Sequence, residues 1–212
     1  MKSINLANLK EQRFSKLQES LWIDYESLTK AGAIIAGGSL RTLIDKEDTV
    51  CDIDLFFKEE ESIANTKSLL EDSEYVCVFQ CPLGYLSTYY KFSEKVVGKR
   101  FDGSPEYEVL SKVQLITRNL YIDLEHVVSS FDLMPCCVAM DSERIVFADK
   151  WVRSVKKKML YLNNLTYPVA TLNRIDKYKR KGYYASEAFY VDIITTIQSS
   201  RFDGDRMSLY ID

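Results

Sequence analysis

Hydrophobic periodicity changes twice between Phe14 and Phe57, and this constrains the fold more than any other feature of the chain. Phe14, Leu17, Leu21, Tyr25 and Leu28 recur three or four positions apart among charged residues. That spacing predicts an amphipathic helix over 11–31, with Gly32 where a C-terminal cap belongs. Ala33-Ile34-Ile35-Ala36 is a short, wholly apolar run and predicts a buried strand. Gly37-Gly38 then allows a tight turn, and residues 39–46 (SLRTLIDK) predict a short helix with Ser39 as its N-cap. Residues 51–57 (CDIDLFF) alternate at period two, with Ile53, Leu55 and Phe57 on one face and Asp52, Asp54 and Phe56 on the other.

Downstream, helix and strand patterns continue to alternate. Helices are expected over 59–72 and 123–129, and strands over 74–81, 84–92 and 107–117, the last two flanking a polar loop around KRFDGSPE. Residues 131–140 (FDLMPCCVAM) predict a strand, with Pro135 marking an edge or a bulge. A turn and a further strand are expected over 140–149. From Lys150 the pattern is helical: 150–162, 171–182 and 185–198, with Pro168 separating the first two and Gly182 a stop signal. The tail after Arg201 has no clear period. The order predicts a mixed α/β (α+β) sheet core flanked by helices over 1–149 and a basic helical part over 150–212.

Composition removes several classes. With 212 residues and 46% hydrophobic content the chain can bury a sizeable core. Its 8 glycines and 4 prolines exclude collagen-like and low-complexity chains. Apolar runs are too short to span a membrane, and the first residues lack the apolar centre of a signal peptide. Five cysteines, Cys51, Cys77, Cys81, Cys136 and Cys137, include no Cys-x-x-Cys pair, so free thiols in a reducing cytoplasmic setting are expected. One histidine, His126, and no Cys/His cluster argue against structural zinc. His126 itself reads as a helix residue rather than a catalytic one.

The chemistry sits in Gly37-Gly38-Ser39-Leu40-Arg41 and Asp52-Ile53-Asp54. Two glycines after a strand let a ligand approach the backbone, and a helix start beyond them offers N–H groups to an anion. Asp52 and Asp54 must share one strand face, where they repel each other unless a cation lies between them. Carboxylate oxygens suit Mg²⁺, which commonly shares its shell with substrate phosphates. The combination is a phosphate cradle beside a hard-metal site.

This GGS…DxD arrangement resembles the nucleotidyltransferase superfamily that includes DNA polymerase beta. The tighter form from Gly37 to Phe57, GGSLR…DIDLFF, is similar to the head motif of CCA-adding enzymes and bacterial poly(A) polymerases, with Thr42 where that group usually carries Asp. SSFDLMPCCVAMD (129–141) resembles a segment of phage-type nucleotidyltransferases. The resemblance implies a mixed sheet, two Mg²⁺ ions (Mn²⁺ as a substitute) and transfer of a nucleoside monophosphate from a nucleoside triphosphate to a hydroxyl. It implies Asp52 and Asp54 as metal ligands, Gly37, Gly38, Ser39 and Arg41 at the phosphates, and a third carboxylate on a later strand. Asp132 is the best match for that acid and for the proton acceptor, with Asp123, Glu125 and Asp141 as rivals.

Residues 150–182 hold ten basic residues against one acid, Asp176, within a chain of net charge −3. Tyrosines and Trp151 are interleaved with them, a composition suited to a nucleic-acid backbone or a triphosphate. Arg174, Lys177 and Tyr178 share one helical face and are expected to contact nucleotide or RNA. The acceptor expected first is a tRNA-like RNA 3′ end; a protein or small-molecule acceptor is the alternative, and a non-catalytic nucleotide-binding module the third reading.

Overall fold

The computed structural model of the chain describes residues 1–9, 13–45, 50 and 52–199. Positions 10–12, 46–49, 51 and 200–212 lie outside the described residues, and with them the start of the first expected helix, the end of the helix after Ser39, Cys51 and the tail.

The chain opens with β1 (Lys2–Asn5), an exposed strand that no burial pattern announces. The single helix expected over 11–31 is instead two short ones, α1 (Ser15–Ser20) and α2 (Tyr25–Lys30). Leu21 turns extended, and the Asp24 carboxylate accepts from Glu26 N to start the second helix. The local cap outweighs continuity of the period. The apolar stripe survives the break: Phe14 stacks on Tyr25 at 5.1 Å, and Leu17 and Leu28 are fully buried. Gly32 ends α2 at φ +93°, and a Cβ there would lie 2.2 Å from the Ser62 hydroxyl, so this turn requires glycine.

β2 (Ala33–Ala36) forms as expected. The next segment does not: Gly37–Leu43 is a 3-10 helix that begins at the first glycine, with Ala36 in the capping position and no side-chain cap. Ser39 therefore sits inside the turn rather than at its start. β3 (Ile53–Phe57) and α3 (Glu60–Asp72) follow. β4 (Val76–Gln80) leads into a long hairpin of β5 (Leu86–Lys99) and β6 (Pro105–Ile116), whose strands run on through most of the polar stretch expected as loop. Backbone pairing across the hairpin continues past the point where burial stops.

After α4 (Leu124–Ser130), the strand expected over 131–140 is replaced by an irregular Phe131–Leu133 that bends at Asp132, a 3-10 turn at Met134–Cys136, and β7 (Val138–Met140). Pro135 inside that turn supplies no backbone N–H, which favours the turn over a ladder. β8 (Arg144–Phe147), α5 (Trp151–Lys157), α6 (Pro168–Arg180) and α7 (Glu187–Ser199) complete the described elements. α5 is shorter than expected because Lys158 adopts a left-handed conformation. α6 starts on Pro168, whose missing N–H costs nothing in a first turn.

The eight strands form one mixed sheet in the order β1-β8-β7-β2-β3-β6-β5-β4. β3 runs antiparallel to β2 and parallel to β6. Alternation along β3 divides the core as the sequence predicts. Ile53, Leu55 and Phe57 join Leu17, Leu28 and Trp151 in one cluster. Phe56 joins Ile34, Val127 and Val146 in another. A third cluster packs Leu133 and Leu160 against Ile175 and Tyr178 of α6 and Phe189 and Ile193 of α7. Each such large side chain, fully buried, contributes about 2 kcal/mol. This cluster sets α6 against the loop that carries Asp132.

Candidate nucleotide site

Asp54 is held in the middle of the sheet, with Ala36 of β2 opposite it on one side and Gln114 of β6 on the other. Asp52 lies two residues earlier on the same face. Both carboxylates line a cavity of about 170 Å³, together with Gly38, Arg41, Asp132, Arg174, Lys177 and Tyr178. Residues from the first glycine turn and from a helix more than a hundred positions away thus meet around the aspartate pair. Gly37 and Ser39 are not among the residues that line it. A Cβ on Gly37, at φ +80°, would lie 3.5 Å from Asp54 Oδ2. Ser39 is buried, and its hydroxyl has no hydrogen-bond partner among the described residues.

Burial, and then the charge of Asp52, push the Asp54 carboxyl up to about 7, against the opposing pull of Lys177, Lys112 and Arg174. A buried carboxyl raised in this way, with a second carboxylate on the same strand face, is a donor set whose charge a hard divalent cation relieves. Asp52 and Asp54 therefore fit Mg²⁺ or Mn²⁺.

Arg41 is buried. Its Nη1 donates to Tyr178 Oη at 2.8 Å, and that oxygen lies 2.7 Å from Cys136 Sγ. Burial raises the Tyr178 hydroxyl well above its usual range, so it stays a neutral partner of the guanidinium. Gly38 packs under this group, and a Cβ there would come within 2.8 Å of Arg41 Nη1.

Asp132 lines the same cavity but is spoken for. Its Oδ2 accepts from Arg174 Nη1 at 2.6 Å and from Thr171 Oγ1 at 2.7 Å, and its Oδ1 accepts from Leu133 N at 2.7 Å. Among the described residues no three His, Cys, Asp or Glu side chains gather closely enough to hold one ion. Asp132 lies in a loop rather than on a strand, tied to α6 by an ion pair.

The rival acids have other partners. Asp123 caps α4 through His126 N, Glu125 makes a two-pronged pair with Arg144, and Asp141 binds the turn amides of Glu143 and Arg144. His126 sits exposed on α4, edge-on to Tyr121.

Sequence reasoning missed Lys112 and Gln114 of β6, and Lys181. Lys112 Nζ lies 3.9 Å from Asp52 Oδ2, and all three residues line the cavity. The period-two pattern of 107–117 carried the signal for the first two, since it puts Lys112 and Gln114 on the polar face. A second cavity of about 400 Å³ shares Phe56, Phe131, Asp132 and Arg174 with the first. In its wall Arg118 lies between the rings of Tyr85 and Tyr167, at 5.5 and 5.1 Å.

The mixed sheet and flanking helices that bring these residues together have the fold of solved nucleotidyltransferases. A CCA-adding enzyme in complex with ATP superposes with a TM-score of 0.60 at 13% identity, over 98% of this chain and 50% of that one. A tRNA nucleotidyltransferase complexed with a primer tRNA and an incoming ATP analog gives 0.53 at 15% identity, over 78% of this chain and 46% of that one. The sequence family is more specific, and the motif resemblance did not name it. The model of the Gabija anti-defense 2 family matches residues 8–158, and the chain belongs to that family. Gabija anti-defense 2 of Bacillus phage SPbetaL7 is 25% identical over 190 residues, 88% of this chain and 42% of that protein. The chain thus spans less than half the length of the curated relative it matches. No described helix is long and apolar enough to cross a membrane.

Proposed function

We propose that the chain is a Mg²⁺-dependent nucleotidyltransferase that moves a nucleoside monophosphate from a nucleoside triphosphate to a hydroxyl at an RNA 3′ end, tRNA-like in character. It does so in countering the defence for which its family is named. The observation that carries this reading is the cavity itself, where the aspartate pair, the Gly38 backbone and the cations of α6 face one another.

Lys177 and Lys181 bind the triphosphate, and Arg41 does so from its anchor on Tyr178. Gly38, on the cavity wall, leaves the backbone open to a phosphate. The hydroxyl oxygen would bond to the α-phosphorus as the α–β phosphoanhydride breaks, with pyrophosphate leaving and the hydroxyl proton passing to solvent. Asp52 and Asp54 would hold the divalent ion, which when bound would stabilise the phosphates and lower the pKa of that hydroxyl. Asp132 fixes the Arg174 guanidinium at the junction of the two cavities, so that a nucleotide meets a preset donor. The second cavity, lined by the rings of Phe56, Tyr121, Phe131 and Tyr167, takes the nucleoside end. The basic residues of α5 and α6 supply charge for an RNA backbone.

A second reading follows from the family: the acceptor is a macromolecule of the defence system itself, and the label ends on protein. Incubation with α-³²P-labelled nucleoside triphosphates, Mg²⁺ and lysate of cells with and without the Gabija system separates the two. Labelled RNA that disappears with Asp52→Ala supports the first, and a labelled protein band only in the Gabija lysate supports the second. Absence of any Asp52-dependent label refutes transfer altogether.

A further inference from the structure

We propose that this site works with a single divalent ion, and that the Lys112 ammonium supplies the second positive charge. The inference rests on reading Asp52 and Asp54 as the metal ligands of a nucleotide site, and it concerns what surrounds them.

A third ligand would have to come from a strand beside β3. On one side the position opposite Asp54 is Ala36, followed by a glycine whose added Cβ would already lie 3.5 Å from Asp54 Oδ2. On the other side the register pairs Ile53 with Val113 and Asp54 with Gln114, which sets Lys112 alongside Asp52. Residues in register on neighbouring strands project from the same face. The two places from which β6 would offer an acid therefore carry an ammonium and an amide.

Lys112 already behaves as a counter-ion. Its Nζ is 3.9 Å from Asp52 Oδ2, and both side chains keep roughly a third of their surface in the open cavity, at 30% and 28%. A part-exposed lysine is a mobile point charge that can turn from a carboxylate to an arriving phosphate. Asp132 offers no relief, because its two oxygens accept from Arg174, Thr171 and the Leu133 amide.

Charge bookkeeping points the same way. Three carboxylates line the cavity against the cations of Arg41, Lys112, Arg174, Lys177 and Lys181, a formal surplus of two positive charges. One divalent ion raises the surplus to match the roughly four negative charges of a bound nucleoside triphosphate. A second ion would add two charges with no further carboxylate beside the pair to hold it.

The test counts ions rather than turnover. The full chain is titrated with Mn²⁺ in the presence of an α,β-methylene triphosphate analogue, and loss of the free Mn²⁺ paramagnetic resonance signal gives the stoichiometry. The expected result is one Mn²⁺ per chain. Gln114→Glu, which places a carboxylate beside Asp54, should raise it to two. Lys112→Glu does the same beside Asp52 and keeps the test decisive if the first variant fails to fold. Lys112→Met should keep one ion and weaken analogue binding about tenfold. Two ions on the unaltered chain, or one ion on both well-folded glutamate variants, overturns the single-ion proposal and leaves nucleotidyl transfer standing. Failure to bind both analogue and Mn²⁺ overturns the transfer reading instead.

Discussion

Arg174→Met is the sharpest probe of how this site is built, because it takes away the guanidinium that ion-pairs with a carboxylate whose side-chain surface is only 9% exposed. Removing one member of a buried pair costs about 3–5 kcal/mol, since the other charge stays desolvated. Asp132 keeps its bonds from Thr171 Oγ1 and Leu133 N, so the loss should fall near the lower end, about 3 kcal/mol. Asp132→Asn removes the charge but keeps an acceptor, and should cost about 2 kcal/mol. If the pair acts as a unit, the double variant loses roughly 3 kcal/mol rather than 5, a coupling of about 2 kcal/mol. Urea unfolding of the four proteins, with the slope against denaturant unchanged, measures the cycle. Additivity within about 0.5 kcal/mol would refute the claim that Asp132 is a fixed anchor for Arg174. It would free the carboxylate for the metal-ligand role that the motif resemblance implies.

Other predictions are more local. Asp54 is protonated more readily in the folded chain than in the unfolded one, with its carboxyl raised from 3.8 to about 7. Its contribution to stability is therefore complete below about pH 4 and drains away as pH rises through 7. Thermal melts in chelator should show that loss, and either Mg²⁺ or Asp54→Asn should flatten it; an unchanged slope in Asp54→Asn would contradict the assignment. Gly32→Ala forces a Cβ to 2.2 Å from the Ser62 hydroxyl at φ +93°, and should cost more than about 2 kcal/mol, with Ser62→Gly restoring only the steric part. Tyr178→Phe removes the acceptor of Arg41 Nη1 and should cost about 1–3 kcal/mol while weakening binding of a triphosphate analogue, read by calorimetry. Retained affinity would show that Arg41 does not need this anchor.

Legibility in the sequence followed burial. The face of β3 that enters the core and the face that carries Asp52 and Asp54 were readable because alternation is a direct consequence of half-buried strand geometry. β1 was not, because all four of its residues are exposed and its partner, β8, lies far away in sequence. The run 131–140 is apolar whether it is strand or turn, since Leu133, Met134, Cys137 and Val138 are buried either way. Composition cannot separate those cases. The break between α1 and α2 rests on one capping carboxylate, Asp24, in a period that otherwise continues.

Local sequence determined the chemistry at Gly37–Arg41 and Asp52–Asp54, because backbone freedom and strand alternation act over a few residues. Only the tertiary structure decided what that chemistry faces. Packing of Leu133 against α6 brings Arg174 onto Asp132, and pairing of β6 with β3 puts Lys112 and Gln114 where further acid would have to stand. Both are contacts between distant segments, set by strand register and the burial of apolar side chains, and no spacing along the chain encodes either.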